Sequence, residues 1–325
     1  MEPSELSSGQ SLVGKARALL VASTVLWGLS FPLMRGLVLA QKDHAPNGSD
    51  LALACADMAV RFGLAALVML PFYLKDLARV SRREWSQAIG LAILGGAGLY
   101  LQTLGLAWTD ASVSAFLTQL YALLVPLIVA IRDRRWPSLR VIVACAMVLI
   151  GIAVLSPGLL THFTLGPGAL VIIVSSGFIA GQIVWVERPV YAENRFGLVT
   201  LLMFALMSAM FILAYFGTGG TTAVALPLFG TPHLIGLTLA MVLLCTVVNY
   251  WIMNAWQRCV SATEAGLIYC LEPAIATIFS SFVPGLISRF ANINYPNEML
   301  SWTLAFGGAM ILSATVLVAT ERPKA

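Results

Sequence analysis

Charge is what this 325-residue sequence has least of. Lys, Arg, Asp and Glu together make up 10% of it, against roughly a quarter in an average soluble domain. That scarcity excludes a water-facing globular surface. Hydrophobic residues at 59% supply the alternative, a chain solvated mostly by lipid. Histidine occurs only at His44, His162 and His233, all in expected outer loops, and no HExxH pattern joins any of them into a zinc site. GxSxG and Walker A patterns are missing, as is any carboxylate-rich motif for metal-assisted chemistry. No polar segment is long enough to hold a nucleotide domain, which excludes an ATP-driven pump built from this chain alone. The cysteines Cys55, Cys145, Cys245, Cys259 and Cys270 are scattered in or beside apolar spans, none at metal-ligand spacing, and read as small apolar filler. No metal, cofactor or catalytic residue is expected. The net charge of +4 follows the membrane and points to no nucleic acid.

Apolar runs are present instead. A bilayer core takes a helix of ~20 residues, and ten such runs fall near 17–40, 51–74, 86–107, 112–131, 139–156, 167–186, 196–216, 234–256, 263–283 and 300–319. The opening MEPSELSSGQSLVGKAR carries two acids before its first basic residue and lacks the positive start and small-residue cleavage site of a signal peptide. The first span is therefore expected to be retained. The resulting division is a cytoplasmic tail 1–16, a five-span unit 17–156, an outer linker 157–166, a second five-span unit 167–320 and a tail 321–325.

The two units repeat. SAFLTQLYALLVP (Ser114–Pro126) and SATEAGLIYCLEP (Ser261–Pro273) both open with Ser-Ala and place Pro twelve residues after the Ser. Ala107-Trp108 is echoed by Ala255-Trp256, and AMVLIGIAVL by AMILSATVLV. The offset grows from 147 to 163 residues, a difference that falls in the polar stretch Pro284–Met299 and reads as an insertion in one loop. Alternating the loops puts fifteen Lys and Arg on one side and only Arg35, Lys42 and Arg289 on the other, with Arg61 inside a span. The positive-inside rule then places both termini in the cytoplasm. Because each unit holds an odd number of spans and the bias persists through both, the units are inverted relative to each other. The fold class is an all-α polytopic membrane protein with ten helices in two inverted five-helix repeats around a central cavity, the architecture of many secondary transporters.

Ionisable groups inside a span are expensive and mark function by default. Asp57 and Arg61 are one helical turn apart in the second span, within pairing reach. They read equally as a neutralised structural pair and as a substrate-facing one, since an Arg half-satisfied by Asp still offers donors to a carboxylate. Glu272 stands midway along the ninth span with no basic residue within a turn, placed for proton coupling or for packing. Pro273 after it and Pro126 in the fourth span bend their helices at matching positions, as transporters do beside a central cavity. Tyr100, Gln102, Gln119, Tyr121, Asn249, Trp251, Asn254 and Tyr269 concentrate on spans three, four, eight and nine. As a set they favour a cavity over scattered interhelical hydrogen bonds. Gly95, Gly96 and Gly98 give the third span a smooth face for close packing, while Arg35 and Trp136 are expected as membrane-edge anchors.

LLVASTVLWGLSFPLMRG in the first span and the Arg-Phe of VRFGLAAL in the second resemble the EamA group of the drug/metabolite transporter superfamily. So do the A-W…SA…P pattern of spans three and four and Leu271-Glu272-Pro273. The resemblance runs from about Leu19 to Thr320. It implies alternating access, with export or exchange of amino acids or related metabolites across an inner membrane. It also implies cavity walls from Trp27, Tyr100, Gln119, Tyr121, Asn249, Tyr269 and Glu272. The family closes spans four and nine with a Gly-Glu; here those places read Arg132-Asp133 and the inserted stretch Gly285–Glu298. Relatives that carry sugar phosphates would need several cavity cations, whereas this chain offers chiefly Arg61 beside Asp57. A zwitterionic or weakly charged, partly aromatic small molecule fits better, with the bilayer and protons as the other partners and a monomer or homodimer as the assembly. The competing class is a non-transporting membrane protein, such as a lipid-metabolism enzyme or a receptor.

Overall fold

A computed structural model describes residues 3–46, 48–132, 134, 136, 138–155, 165–186, 188–222, 230–256, 268, 269 and 271–319. Regular structure among them is helical throughout. In the first unit the helices are α1 (Pro3–His44), α2 (Asp50–Leu77), α3 (Arg82–Leu106), α4 (Ala111–Thr118), α5 (Tyr121–Arg132) and α6 (Leu139–Leu155). In the second they are α7 (Pro167–Val186), α8 (Phe196–Gly217), α9 (Pro232–Ala240), a π-helical stretch Met241–Val248, α10 (Asn249–Trp256), α11 (Glu272–Ser280), α12 (Val283–Ala291) and α13 (Trp302–Ala319).

The starts and stops have local causes. Ser49 caps α2 by accepting from the Ala52 amide at 3.2 Å. Ser81 and Glu84 form a reciprocal capping box at the start of α3, with bonds of 2.8 and 3.1 Å. Pro232, Pro273 and Pro284 occupy the first turns of α9, α11 and α12, where a missing N–H costs nothing. The fourth span breaks at Gln119–Leu120, and α5 runs on through Pro126. In the ninth span Pro273 opens α11, which then bends by 50° into α12. Half of the inserted stretch is thus helix rather than loop, ended by Asn292 in the left-handed region at φ 53°.

Among the described residues six helices, with the continuous α9–α10 stretch counted as one, are long and apolar enough to cross a membrane, and a seventh is added if the bent α11–α12 pair is one span. Three further apolar helices are shorter, at Ala111–Val125, Leu139–Gly151 and Trp302–Ala314. The chain is a multi-pass membrane protein.

The main helix pairings join the two units: α2 along α8, α3 along α7, α6 along α13 and α1 along α11. Small residues permit this closeness. A Cβ on Gly98 would lie 3.4 Å from the Ile179 amide of α7, and Ser175 on α7 donates to the Gly98 carbonyl at 2.7 Å. The expected smooth face of α3 is therefore used, with Gly95 and Gly98 turned to α7 and Gly96 to α8.

The two ends differ in charge. At the basic end Arg195 binds Asp76 at 2.9 Å, Glu84 at 2.8 Å and the Arg79 carbonyl at 2.7 Å, tying the start of α8 to the α2–α3 turn. At the far end Lys42 meets Asp50 at 2.9 Å, and the His44 and His233 rings lie 4.7 Å apart. His162, Cys259 and Cys270 lie outside the described residues, whereas Cys55, Cys145 and Cys245 are free thiols. Trp136 is 95% exposed, as an edge anchor should be.

Candidate functional site

Asp57, Arg61 and Glu272, the charged residues expected inside spans, are buried. Asp57 and Arg61 are each 3% exposed, one turn apart on α2. Their charges are close, but no direct ion pair joins them. Arg61 reaches instead across the unit boundary, where its Nε donates to Thr246 Oγ1 at 2.9 Å and its Nη1 faces Met34 Sδ at 3.5 Å. Thr246 belongs to the π-helical stretch and donates in turn to the Met241 carbonyl, five residues back, at 3.1 Å. The wide π turn is what brings this hydroxyl to the guanidinium, and such turns cluster at functional positions. Gln41 lies beside Asp57, whose Oδ2 is buried without a partner. An acceptor left over beside a partly satisfied Arg is costly, so this spot holds unused hydrogen-bonding capacity.

Glu272 is the second buried charge, 8% exposed at the start of α11. An aromatic row leads from it to Arg61. Tyr269, a turn before Glu272, meets Trp27 edge-on at 5.5 Å, and Trp27 meets Tyr250 at 6.4 Å. Tyr250 meets Phe204 at 5.5 Å, Phe204 meets Phe62 at 5.6 Å, and the Arg61 guanidinium lies 5.6 Å from the Phe62 ring centre. Asn249 fastens the row to α1. It is fully buried beside Ser23, and with its amide oxygen toward Trp27 it accepts from the indole N–H at 2.5 Å.

Of the expected wall residues, Trp27, Asn249, Tyr269 and Glu272 come together, and Arg61 stands at the other end of the row. Tyr100 packs on Phe211 at 5.7 Å and lies beside Cys55. Gln119 and Tyr121 meet at the α4–α5 break, where Gln119 is 1% exposed and its Nε2 has no partner. Gln102 donates to Thr118 at 2.9 Å, one residue before the break. Pro273 follows Glu272 at the opening of α11. Sequence reasoning missed Ser23, Thr246 and Tyr250. The available signal was a hydroxyl or phenol inside an otherwise apolar run.

Arg35 exceeds its expected role as an anchor. It pairs with Asp110 at 2.9 Å and donates to the Thr109 carbonyl, so it ties α1 to the turn before α4. Two cavities open near the ends. A groove of about 230 Å³ lies between α2, α8 and α10 against Tyr73 and Trp251, and a cleft of about 340 Å³ lies at the far end against Arg35 and Tyr295.

Known proteins share this layout. A family of transporters matches over residues 15–156, the stretch that holds α1 to α6 with Trp27, Asp57, Arg61, Tyr100, Gln119 and Tyr121. The matching model is that of the EamA-like transporter family. The resemblance read from the EamA-like motifs is thereby shown. An uncharacterized transporter of Archaeoglobus fulgidus is 24% identical over 295 residues, which cover 90% of this chain and 82% of that protein. The likeness to a transporter thus extends past the EamA-like stretch into the second unit. A solved crystal structure superposes with a TM-score of 0.51 at 15% identity, over 92% of this chain and 97% of that one, a likeness of fold alone.

Proposed function

We propose that the protein is a secondary transporter, not an enzyme, that moves a small zwitterionic metabolite such as an amino acid across the cell's inner membrane by alternating access. The observation that carries this reading is the buried row from Glu272 to Arg61, built from α1, α2, α8, α10 and α11 and so from both units. A carboxyl at one end and a guanidinium at the other are groups that a zwitterion can meet in turn along the row, and the rings between them offer flat apolar walls. Buried polar groups left partly unsatisfied, such as Asp57 Oδ2 and Gln119 Nε2, are what a site looks like before a substrate completes it.

The packing supports ten spans in two inverted repeats. If the short apolar helices α4–α5, α6 and α13 each count as a span, exchanging the units maps the main pairings between them onto one another. The pairs α2 with α8 and α6 with α13 are self-matched. The pairing of α3 with α7 answers that of the α9–α10 span with α1, and α4–α5 on α7 answers α11 on α1. Inverted halves meeting at a central polar site are the basis of alternating access. The crowding of Lys and Arg at the basic end supports a cytoplasmic position for that end and for both termini.

Counterflow tests the reading. Proteoliposomes preloaded with unlabelled amino acids should take up a labelled subset, and Arg61→Met should reduce that uptake at least about tenfold. Chemistry on lipid without any flux would return the protein to the competing class of membrane enzymes.

A further inference from the structure

The connection between α11 and α13 is longer than its counterpart in the first unit by the sixteen residues that separate the two repeat offsets, 147 and 163. A connection this long has no need of its own internal scaffold, yet it has one. The Tyr295 amide donates to Ser288 Oγ at 2.9 Å, and that hydroxyl donates to the Ile293 carbonyl at 2.6 Å. Asn297 accepts from the Gly285 amide at 2.7 Å, and the Glu298 amide donates to the Ser280 carbonyl at 2.9 Å. Residues 292–299 are thereby fixed as a strap on α12 and the end of α11.

From that base the strap reaches into the first unit with two side chains. Tyr295 is 2% exposed, and its ring centre lies 5.9 Å from the guanidinium of Arg35, which holds Asp110 in front of α4. Glu298 does more. One carboxylate oxygen accepts from the Ala111 amide at 2.7 Å, and the other accepts from the Ser112 amide at 3.1 Å and from Ser112 Oγ. The first amides of a helix have no acceptor within it, and a carboxylate there is favoured both by charge-assisted bonding and by the helix dipole. Asp110, the residue in the capping position of α4, makes no side-chain cap bond. The cap of α4 is supplied in trans, by the other unit.

We infer that Glu298 is the latch of a gate at the far end, holding the N-terminus of α4 against the second unit in the closed state. The inference rests on the transporter reading above, because it makes the strap the part that must let go when the far end opens. Opening that end moves α4 and α1 away from α11 and α12, and the Glu298 contacts with Ala111 and Ser112 are the polar bonds that must then break. The strap itself stays intact, since its internal hydrogen bonds lie within the second unit. Without Glu298 the far end opens more often.

Hydrogen exchange on the full-length protein in nanodiscs tests the latch without requiring transport. In the peptide holding Ala111 and Ser112, exchange should run about tenfold faster in Glu298→Ala than in the native protein, with a smaller rise in Glu298→Gln, which keeps one acceptor oxygen and the side chain's shape. Unchanged exchange in both variants would overturn the latch. The second arm joins Ser112→Cys to Glu298→Cys with a short thiosulfonate bridge. Counterflow should stop on bridging and return with reductant, whereas a bridged protein that transports at the unbridged rate shows that the strap never opens. If the native protein gives no flux at all, the transporter reading fails, and the exchange arm still decides whether Glu298 holds α4.

Discussion

The two halves of the chain spend their charge differently. The first puts Asp57 and Arg61 in the middle of α2, a continuous helix of 28 residues that lies along α8. The second puts Glu272 at the opening of α11, a helix of nine residues bounded by Pro273 at one end and a 50° bend at the other. A charge on an unbroken, closely packed helix is held at a fixed place, because moving it would move the whole helix. A charge at a break sits where backbone angles can change locally, as hinges require. The first unit therefore reads as the anchor of the site and the second as its moving part.

The anchor half of this comparison breaks most visibly at Asp57. If its charge serves to balance Arg61, Asp57→Asn leaves a buried guanidinium uncompensated, and thermal unfolding in detergent should register a loss of about 3–5 kcal/mol. The double variant Asp57→Asn/Arg61→Met removes both charges and should regain most of that loss. A double variant no more stable than the single one would assign Asp57 a direct part in the site. Thr246→Val is the sharper and smaller cut. It removes the 2.9 Å bond from Arg61 and leaves the π stretch its apolar packing, so the expected cost is about 1.5–3 kcal/mol, the worth of a hydrogen bond to a charged group. Stability within about 0.5 kcal/mol of native would show that Arg61 finds another acceptor, and that it is less fixed than its position on α2 implies.

The unequal legibility of the two units has the same root. Span positions, the crowding of basic residues at one end and the burial of Asp57, Arg61 and Glu272 follow from transfer costs that each residue carries with it, so the sequence alone could reveal them. The approach of α3 to α7 follows from Gly98 in the same way. Breaks and turns depend on neighbours instead. Pro126 forbids one hydrogen bond, yet α5 runs on through it and the break falls at Gln119–Leu120, beside the Gln102–Thr118 bond. The π stretch in MVLLCTVV carries no Pro or Gly to announce it. What requires it is the Arg61 side chain, 185 residues earlier in the chain, reaching for Thr246. Tyr250 was passed over because a tyrosine in a span reads as packing until its ring is seen between Trp27 and Phe204. The strap, residues 292–299, is irregular as its Asn-rich polar sequence suggests, and what the sequence hides is its anchoring. The Ser288 and Asn297 side chains that fold it serve amides seven and twelve residues away in the chain.

The moving half of the comparison is tested at Glu272. A buried carboxyl at the start of α11, beside Tyr269, can couple substrate movement to a proton if it takes one up on one side and releases it on the other. A carrier that moves one proton with each substrate can concentrate that substrate about tenfold per unit of pH difference, since one unit is worth 1.36 kcal/mol. Glu272→Gln keeps the shape and the hydrogen-bonding oxygen but cannot release a proton. Gradient-driven accumulation should therefore fall about tenfold, to the level seen with no gradient, while exchange of labelled for unlabelled substrate stays within about twofold of native. The split between these two assays matters more than either alone. Loss of both would make Glu272 a structural or substrate-holding residue. Retention of both, with the gradient still effective, would place the coupling group elsewhere and leave Asp57 as the remaining buried carboxylate at the site, returning the moving role to the unit described above as the anchor.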